Sequence, residues 1–340
     1  MTQPPSPLTM LLSRHTRRRH ALLALLLGGA AAVTWPHGGY GQQPPIPTVG
    51  VLRVNRRNVG EAFVDAFRRD MRELGWEDGR NVRFLVRWAE LENERLPGLA
   101  RELVAAPSDI IIAFGDAGIR AARQASPVIP IIGLADDMVA SGFAASMARP
   151  GGPTTGVSLL TADLDAKRLE LLHEFVPAAR RVGVLGDPLI VASRPHVEAA
   201  ARRLGLDLVP VNAGSRDEIA RALDALEAAR VEAVNVLASP LLYNGRALIL
   251  ERLRRARLPA IYQFPEAAEE GGFLAYGPRL VQVYRQLAVL ANKVLRGAHP
   301  ADLPVEQPAR FELVVNLAAA QALGVAIPPA LLDRANKVIE

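Results

Sequence analysis

Short runs of apolar residues alternate along the chain with longer segments in which apolar positions recur every three or four residues. The runs predict buried strands and the longer segments predict amphipathic helices. In residues 60–74, for instance, Phe63, Phe67 and Met71 share one helical face. Gly75 follows as the expected C-cap. Strand-like runs stand at residues 49–54, 81–88, 109–114, 129–134, 155–160, 181–187, 206–211, 233–237 and 258–262. Strands that alternate with helices in this way predict βαβ units and parallel sheets.

The alternation runs through two series of similar length, which predicts two similar halves. Between them lies the Arg-Pro-Gly-Gly-Pro sequence at residues 149–153, which we interpret as a chain reversal, with an anion-binding loop as the alternative. The segments after Tyr262 fit neither half alone, which indicates that the chain passes between the two halves again. We therefore predict an α/β fold with two Rossmann-like lobes, each with a parallel sheet, joined by a multi-strand hinge. The expected boundaries are 46–160 for lobe 1 with 265–300 returning to it, and 161–264 for lobe 2 with 305–340 returning to it.

The N-terminal segment has the pattern of an export signal. Three consecutive arginines at residues 17–19 precede an apolar run at 21–33 and a small-residue stretch that ends at Gly41. An apolar run of about 13 residues suits a secretory signal and is short for a membrane span, which needs about 20. We predict a signal peptide over residues 1–41, cleaved near Gly41, and a periplasmic location. The arginines leave twin-arginine export possible, and an uncleaved membrane anchor is the weaker alternative.

Charge and cysteine content narrow the function classes. Residues 1–41 contain four arginines and no acidic residue, so they account for four of the five net positive charges of the chain. The near-neutral remainder does not favour nucleic-acid binding, which needs a clustered basic face. The chain has no cysteine, which excludes disulfides and thiolate sites. His173, His196 and His299 are isolated in the sequence, so we expect no metal site. We also expect a monomer that uses no cofactor.

Candidate ligand-binding residues stand at the predicted strand ends, because ligands of parallel α/β sheets bind beyond the carboxyl ends of the strands. An Asp at such a position can bind a ligand amine, but it can equally cap the following helix. The aromatic residues can flank a cleft or fill the core. The candidates are Asn55, Asp116, Asp136, Asp137, Asp187, Ser239, Tyr262, Phe264 and Tyr276.

Catalytic motifs are not found in the sequence. It contains no Gly-x-Gly-x-x-Gly after the first predicted strand, no phosphate loop, no His-Glu-x-x-His and no Gly-x-Ser-x-Gly. These patterns would indicate dinucleotide, nucleotide, zinc or nucleophilic-serine chemistry. We therefore predict that the chain is not an enzyme.

Several stretches together resemble a known family. The similarity covers Arg-Glu-Leu-Gly-Trp-Glu-Asp-Gly-Arg-Asn at residues 72–81, Ala-Arg-Pro-Gly-Gly at 148–152 and Ala-Asp-Leu-Pro-Val-Glu-Gln-Pro at 301–308. Others are Leu-Pro-Ala-Ile-Tyr at 258–262 and Phe-Glu-Leu-Val-Val-Asn at 311–316. With these motifs the chain resembles the bacterial ABC transporter substrate-binding proteins of the tryptophan/tyrosine type, which have a type I periplasmic-binding fold.

The resemblance implies capture of a small molecule, amino-acid-like or related, by hinge closure and a membrane permease as partner. The sequence departs from the family pattern at two strand ends. Gly-Asp-Ala-Gly stands at 115–118 where the family commonly has Gly-Thr-Pro-Ala, and Ala-Asp-Asp-Met at 135–138 where it has Gly-Asp-Pro-Val. A carboxylate at residue 116 would disfavour a ligand carboxylate there. The alternatives are a periplasmic ligand-sensing domain that signals to a membrane sensor and, less favoured, an exported α/β enzyme.

Overall fold

The computed structural model describes residues 46–189 and 193–340, and over these it forms two sheets with helices on both faces. The first sheet contains the strands β1 (Thr48–Arg53), β2 (Arg83–Trp88), β3 (Ile110–Phe114), β4 (Ile131–Ala135) and β5 (Thr154–Ser158). The helices between them are α1 (Arg57–Glu73), α2 (Leu96–Ala105) and α3 (Gly115–Ala125). Its strands are parallel in the order β2-β1-β3-β4-β5. The order reverses direction between β1 and β3, where such sheets bind ligands.

The second sheet repeats this plan and then extends it. Its strands are β6 (Arg181–Gly186), β7 (Asp207–Asn212), β8 (Ala233–Val236), β9 (Ala260–Tyr262), β10 (Leu274–Gly277), β11 (Glu312–Asn316) and β12 (Lys337–Ile339). The helices along that part of the chain are α4 (Thr161–Phe175), α5 (Ser193–Leu204), α6 (Arg216–Ala228), α7 (Pro240–Asn244), α8 (Arg246–Arg255), α9 (Pro265–Glu269), α10 (Leu280–Leu295), α11 (Leu317–Leu323) and α12 (Pro329–Leu332). The strand order is β12-β11-β10-β9-β8-β6-β7. The pair β10–β11 is antiparallel and the other pairs are parallel.

Within the described residues, the chain passes between the two sheets at three places. The first is residues 159–160, between β5 and α4. The second is residues 278–279, because α10 packs on α1 and on the first sheet. The third is residues 307–311, since Glu306 still bridges to Val157 while β11 belongs to the second sheet. We call the first sheet with α1–α3, α10 and residues 300–306 lobe 1, and the second sheet with its other helices lobe 2. The predicted multi-strand connection is therefore present.

Two expected boundaries need correction. The prediction returned the chain to lobe 1 at residue 265, but α9 and β10 stay with the second sheet and the return begins at α10. The reason is that β10 extends the parallel pairing of β9 and offers its other edge to β11. Similarly, residues 305–306 remain beside β5, so lobe 2 resumes later than the predicted residue 305.

Burial explains why the strands were visible in the sequence. Every residue of β1, β3, β4 and β5 is buried, because helices cover both faces of the sheet. The edge strand β7 is instead half-exposed. At the end of α1, Gly75 has a positive φ of 94°, and the Trp76 amide donates to the Met71 carbonyl, as expected for a glycine cap. No helix in residues 46–189 and 193–340 is long and apolar enough to cross a membrane. The predicted signal peptide lies outside the described residues.

Candidate functional site

One cavity lies between the lobes, at the carboxyl ends of strands from both sheets. It measures about 710 Å³, counting the space that is open to solvent. Lobe 1 contributes the ends of β1, β3 and β4 with one face of α1 and α10, and lobe 2 contributes the segments after β8 and β9. Its lining residues are Arg53, Val54, Asn55, Val59, Gly60, Phe63, Phe114, Gly115, Leu134, Ala135, Asp136, Leu159, Thr161, Ala238, Ser239, Pro240, Tyr243, Phe264, Leu280 and Tyr284.

Aromatic rings from both lobes form much of the cavity wall. Tyr284 of α10 stacks on Phe63 of α1 and on Phe114 of β3, with ring centroids 5.1 and 5.2 Å apart. In lobe 2, Tyr243 meets Phe264 edge to face at 5.5 Å. The ring of Tyr243 also lies 6.1 Å from that of Phe63, so the two aromatic groups meet across the cleft. Such walls suit the flat apolar body of a ligand.

Arg53 is a cation buried inside this aromatic group. It is the last residue of β1, its exposed fraction is 2%, and its guanidinium carbon lies 3.9 Å from the centroid of Phe114. One terminal nitrogen donates to the Tyr284 hydroxyl, and the other lies 3.5 Å from Oδ1 of Asn55. The Nε atom has no hydrogen-bond partner. Within the described part of the chain, no carboxylate lies within salt-bridge distance of Arg53.

Asp136, at the end of β4, is an acid in an unfavourable environment for its charge. Burial, and next the nearby carboxylate of Asp116, raise its pKa from 3.8 to about 7, although a hydrogen bond with Thr161 opposes this. Its backbone amide lies 3.4 Å from Oδ1 of Asp116, and its carbonyl accepts from Leu160 at 2.8 Å. Asp136 thus lines the cavity beside the first crossing between the lobes and carries a proton for much of the time at neutral pH.

A buried ion pair in lobe 2 holds the segment after β8, which lines the cavity. Asp165 and Arg168 of α4 are fully buried and hydrogen-bonded to each other. Asp165 also accepts from the Ala238 amide at 3.1 Å, and its carbonyl accepts from Asn235 at 3.0 Å. These bonds fix the segment after β8 that lines the cavity. Among the described residues, no group of three or more His, Cys, Asp or Glu side chains is placed to hold a metal.

Comparison with known sequences identifies the family. A sequence profile described as "ABC transporter substrate binding protein" matches residues 49–339, almost all of the part that the structure describes. The chain belongs to this family of ABC transporter substrate-binding proteins. That confirms the resemblance seen in the sequence motifs. The family is one of solute-binding proteins and not of enzymes.

Individual relatives share the fold at low sequence identity. The chain is 24% identical to the tyrosine-binding protein of Clostridioides difficile (strain R20291) over 255 residues, which are 74% of this chain and 73% of that protein. A conserved domain protein from Vibrio cholerae is 23% identical, with a TM-score of 0.80. The ABC domain in complex with L-Trp from Streptococcus pneumonia is 23% identical, with a TM-score of 0.78. Both comparisons cover 86% of this chain and 99% of the other. These likenesses confirm the predicted fold class.

The candidate residues of the sequence divide between the cavity and its surroundings. Four of them, Asn55, Asp136, Ser239 and Phe264, line the cavity of this substrate-binding protein. Asp116 lies behind Asp136, where it accepts hydrogen bonds from the Asp136 amide and from the Ser141 hydroxyl. It therefore influences the charge of Asp136 without lining the cavity.

The other two acidic candidates shape turns. Asp137 accepts from the amides of Val139 and Ala140 at 2.9 and 3.0 Å. Asp187 is buried, accepts from the Leu189 amide at 2.9 Å and accepts from the Ser239 hydroxyl at 2.7 Å. Their oxygens accept from backbone amides in the turns that follow a strand end, so they neither line the cavity nor cap a helix.

Two aromatic candidates pack in or against the core of lobe 2. Tyr262 lies within β9, is 4% exposed, and packs in the core cluster that includes α8 and α9. Tyr276 lies within β10, and its ring is 6.3 Å from that of Phe311. Side chains inside a strand go to the faces of the sheet, whereas Phe264 lies beyond the end of β9, where the cavity is.

The sequence interpretation missed several lining residues. Arg53 interrupts the apolar run of the first strand, and this charged residue in a buried strand was a usable signal. Phe63 and Tyr284 looked like ordinary core positions of amphipathic helices. Nothing in the local pattern indicates that Tyr284 of α10 meets Arg53 of β1, because the two lie 231 residues apart in sequence.

Proposed function

We propose that this protein is the solute-binding component of an ABC-type uptake transporter, which captures an amino-acid-like molecule in the cleft between its lobes. The observation that carries the proposal is that both lobes line one cavity. Side chains on strand ends and helices of lobe 1 face Ser239, Tyr243 and Phe264 of lobe 2 across it. A ligand there would contact both lobes at once and would favour the arrangement in which they are close together.

Closure of the lobes about the three crossings would accompany binding. The crossings at residues 159–160, 278–279 and 307–311 are short, and the cavity lining includes Leu159, Thr161 and Leu280 beside the first two. Contacts across the cleft include the Arg56 amide, which lies 3.3 Å from Oδ1 of Asn244, and the rings of Phe63 and Tyr243. Domains that are joined by a few short segments are suited to hinge motion.

An aromatic or apolar amino-acid-like ligand fits the cavity. The lining is rich in aromatic and aliphatic side chains, and Asp136 offers a carboxylate to a ligand amine. Two relatives support this class, since one is named a tyrosine-binding protein and another was solved with L-Trp. The export of the chain, its cleavage near Gly41, its periplasmic location and its permease partner are parts of the same proposal, supported by the N-terminal sequence pattern and the family.

A ligand screen coupled to a distance measurement tests the proposal. The mature protein is first screened by thermal shift against amino acids, purines, sugars and small organic acids. A ligand at a hundredfold excess over Kd stabilises the folded state by about 2.7 kcal/mol. The chain has no cysteine, so labels can be attached at two introduced cysteines without background reaction.

Asn58 and Arg216 are suitable label positions, because both are exposed and lie on opposite lobes at the same opening. We expect the distance between labels at N58C and R216C to shorten when a ligand found by the screen is added. The control pair R216C and E251C lies within lobe 2 and should not change. A bound ligand with no change in either pair would contradict closure, and no ligand in the whole screen would contradict solute capture.

A further inference from the structure

Arg53 differs from Arg168, the other strongly buried arginine among the residues that the structure describes, in having no acidic partner. Arg168 is 1% exposed and paired with Asp165, whereas Arg53 is 2% exposed and makes no salt bridge with any described residue. Arginine stays protonated in proteins. A buried charge without an opposite charge is unfavourable unless something else compensates it. The aromatic faces around Arg53 compensate only part of this cost.

The hydrogen-bonding capacity of Arg53 is also incompletely used. A guanidinium carries five N–H groups, and Arg53 makes one close bond, to the Tyr284 hydroxyl, and one long contact with Asn55. The Tyr284 oxygen accepts from Arg53, so its own O–H remains available to donate. Burial raises the pKa of Tyr284 above its ordinary value, so the phenol is neutral and does not supply the missing negative charge. Both residues line the cavity.

We propose that Arg53, with the Tyr284 hydroxyl beside it, is the receptor for a carboxylate group of the ligand. This deepens the proposed function, on which it rests, by placing the acidic group of the ligand in lobe 1, beside Arg53 at the end of β1. A carboxylate accepts two parallel N–H bonds from one guanidinium, and it would neutralise the charge that the protein leaves uncompensated. Asp136, on the end of β4, would then face the ligand's amine if it has one.

A single carboxylate fits the surroundings better than a phosphate. Of the residues that line the cavity, Arg53 is the one with a positive side chain, and the rest of the lining is mainly apolar or, at Asp136, acidic. A phosphate dianion would keep an unneutralised charge in this environment. The departure at residue 116 agrees with this placement, because Asp116 makes the end of β3 a poor place for an anion.

The test uses pairs of compounds that differ only in the acidic group. The probes are L-phenylalanine, L-tyrosine and L-tryptophan, each with its carboxamide, together with 3-phenylpropanoate and 3-phenylpropanamide. We expect the wild-type protein to bind at least one acid about 30-fold or more tightly than its amide, since a desolvated charge pair contributes on this scale.

Variants then assign the preference to Arg53. R53M should lower the affinity for the acid by a similar factor and change that for the amide by less than about threefold, because only the acid uses the guanidinium. R53K should be intermediate, since it keeps the charge and loses the paired donors. The matched control is R83M, because Arg83 lies on the neighbouring β2 at the opposite end of the sheet and bonds Thr48.

The possible results separate the two proposals. Equal binding of acid and amide by the wild type, or an acid preference that survives in R53M, would overturn the role of Arg53 and leave solute capture intact. Binding of a sugar or purine with no binding of any carboxylate would do the same. If R53M does not fold, the acid–amide comparison on wild type and R53K still decides. A protein that binds nothing in the wider screen would refute solute capture itself.

Discussion

Replacing Asp136 by Asn should stabilise the ligand-free protein at neutral pH. The carboxyl group of Asp136 has its pKa raised to about 7 in the folded protein, first by burial and then by Asp116. In the unfolded chain the same group should return to its ordinary pKa of 3.8. Between these two values the folded state holds a proton that the unfolded state has released. The free energy of unfolding therefore falls as the pH rises from about 4 to about 7.

The size of the effect follows from the two pKa values. One pKa unit corresponds to 1.36 kcal/mol, so the full gap from 3.8 to about 7 corresponds to about 4 kcal/mol. Between pH 5 and pH 8 about two thirds of this develops. The side chain is only partly shielded from the solvent in the cavity, which reduces the effect. We expect the stability advantage of D136N over wild type to grow by about 1–2 kcal/mol from pH 5 to pH 8.

Urea unfolding of both proteins at a series of pH values measures this difference. Other ionisable groups titrate in both proteins, so most of their contribution cancels in the difference. As a second variant, D116N should lower the pKa of Asp136, because it removes a neighbouring negative charge. Its pH-dependent loss should then be smaller than that of wild type. A D136N advantage that is constant from pH 5 to pH 8 would show that Asp136 is ionised throughout, and the reasoning would be wrong.

Three further outcomes are expected. Asp136 is largely protonated at pH 6, so binding of an amino acid that pairs its ammonium with this side chain should release a proton. Calorimetry in buffers of different ionisation enthalpy should show this release. Binding of 3-phenylpropanoate, which has no ammonium group, should show none. Gly156→Ala should lower the melting temperature strongly, because a Cβ there would overlap the backbone of β4, whereas Gly152→Ala has open space and should be tolerated. Asp165→Ala should cost about 3–5 kcal/mol in urea unfolding, because it leaves a buried arginine unpaired; a loss below about 1 kcal/mol would contradict this.

The fold was largely predictable because the central strands are covered on both faces. Strands such as β3 and β4 are buried over their whole length, so they appear in the sequence as uninterrupted apolar runs. Their ends were also visible, and Asp136 and Ser239 were found because strand ends mark the edge where the cavity lies. The direction of each side chain was not visible in the same way. Asp137, one residue after Asp136, accepts a hydrogen bond from the Val139 amide in its own loop and does not line the cavity.

The rest of the site depends on contacts that no local pattern records. Tyr284 enters lobe 1 from a helix near the end of the chain and stacks on Phe114. Arg53 stands out because no described carboxylate lies within salt-bridge distance of it. The absence of such a partner is a property of the folded structure and cannot be read from the sequence. The boundary at residue 265 was misplaced for a related reason, since the pairing of β10 with β9 and β11 competes with the return to lobe 1.

The late position of α10 also affects the order in which the protein can acquire its structure. Val283, Leu287 and Leu290 of this helix belong to the same hydrophobic cluster as Val51 of β1 and Ile112 of β3. A growing polypeptide that has not yet reached residue 295 would leave that side of the first sheet uncovered. Lobe 1 is therefore synthesised first but completed almost last. A fragment that stops at residue 279 should expose an apolar surface, aggregate and lack an ordered binding surface.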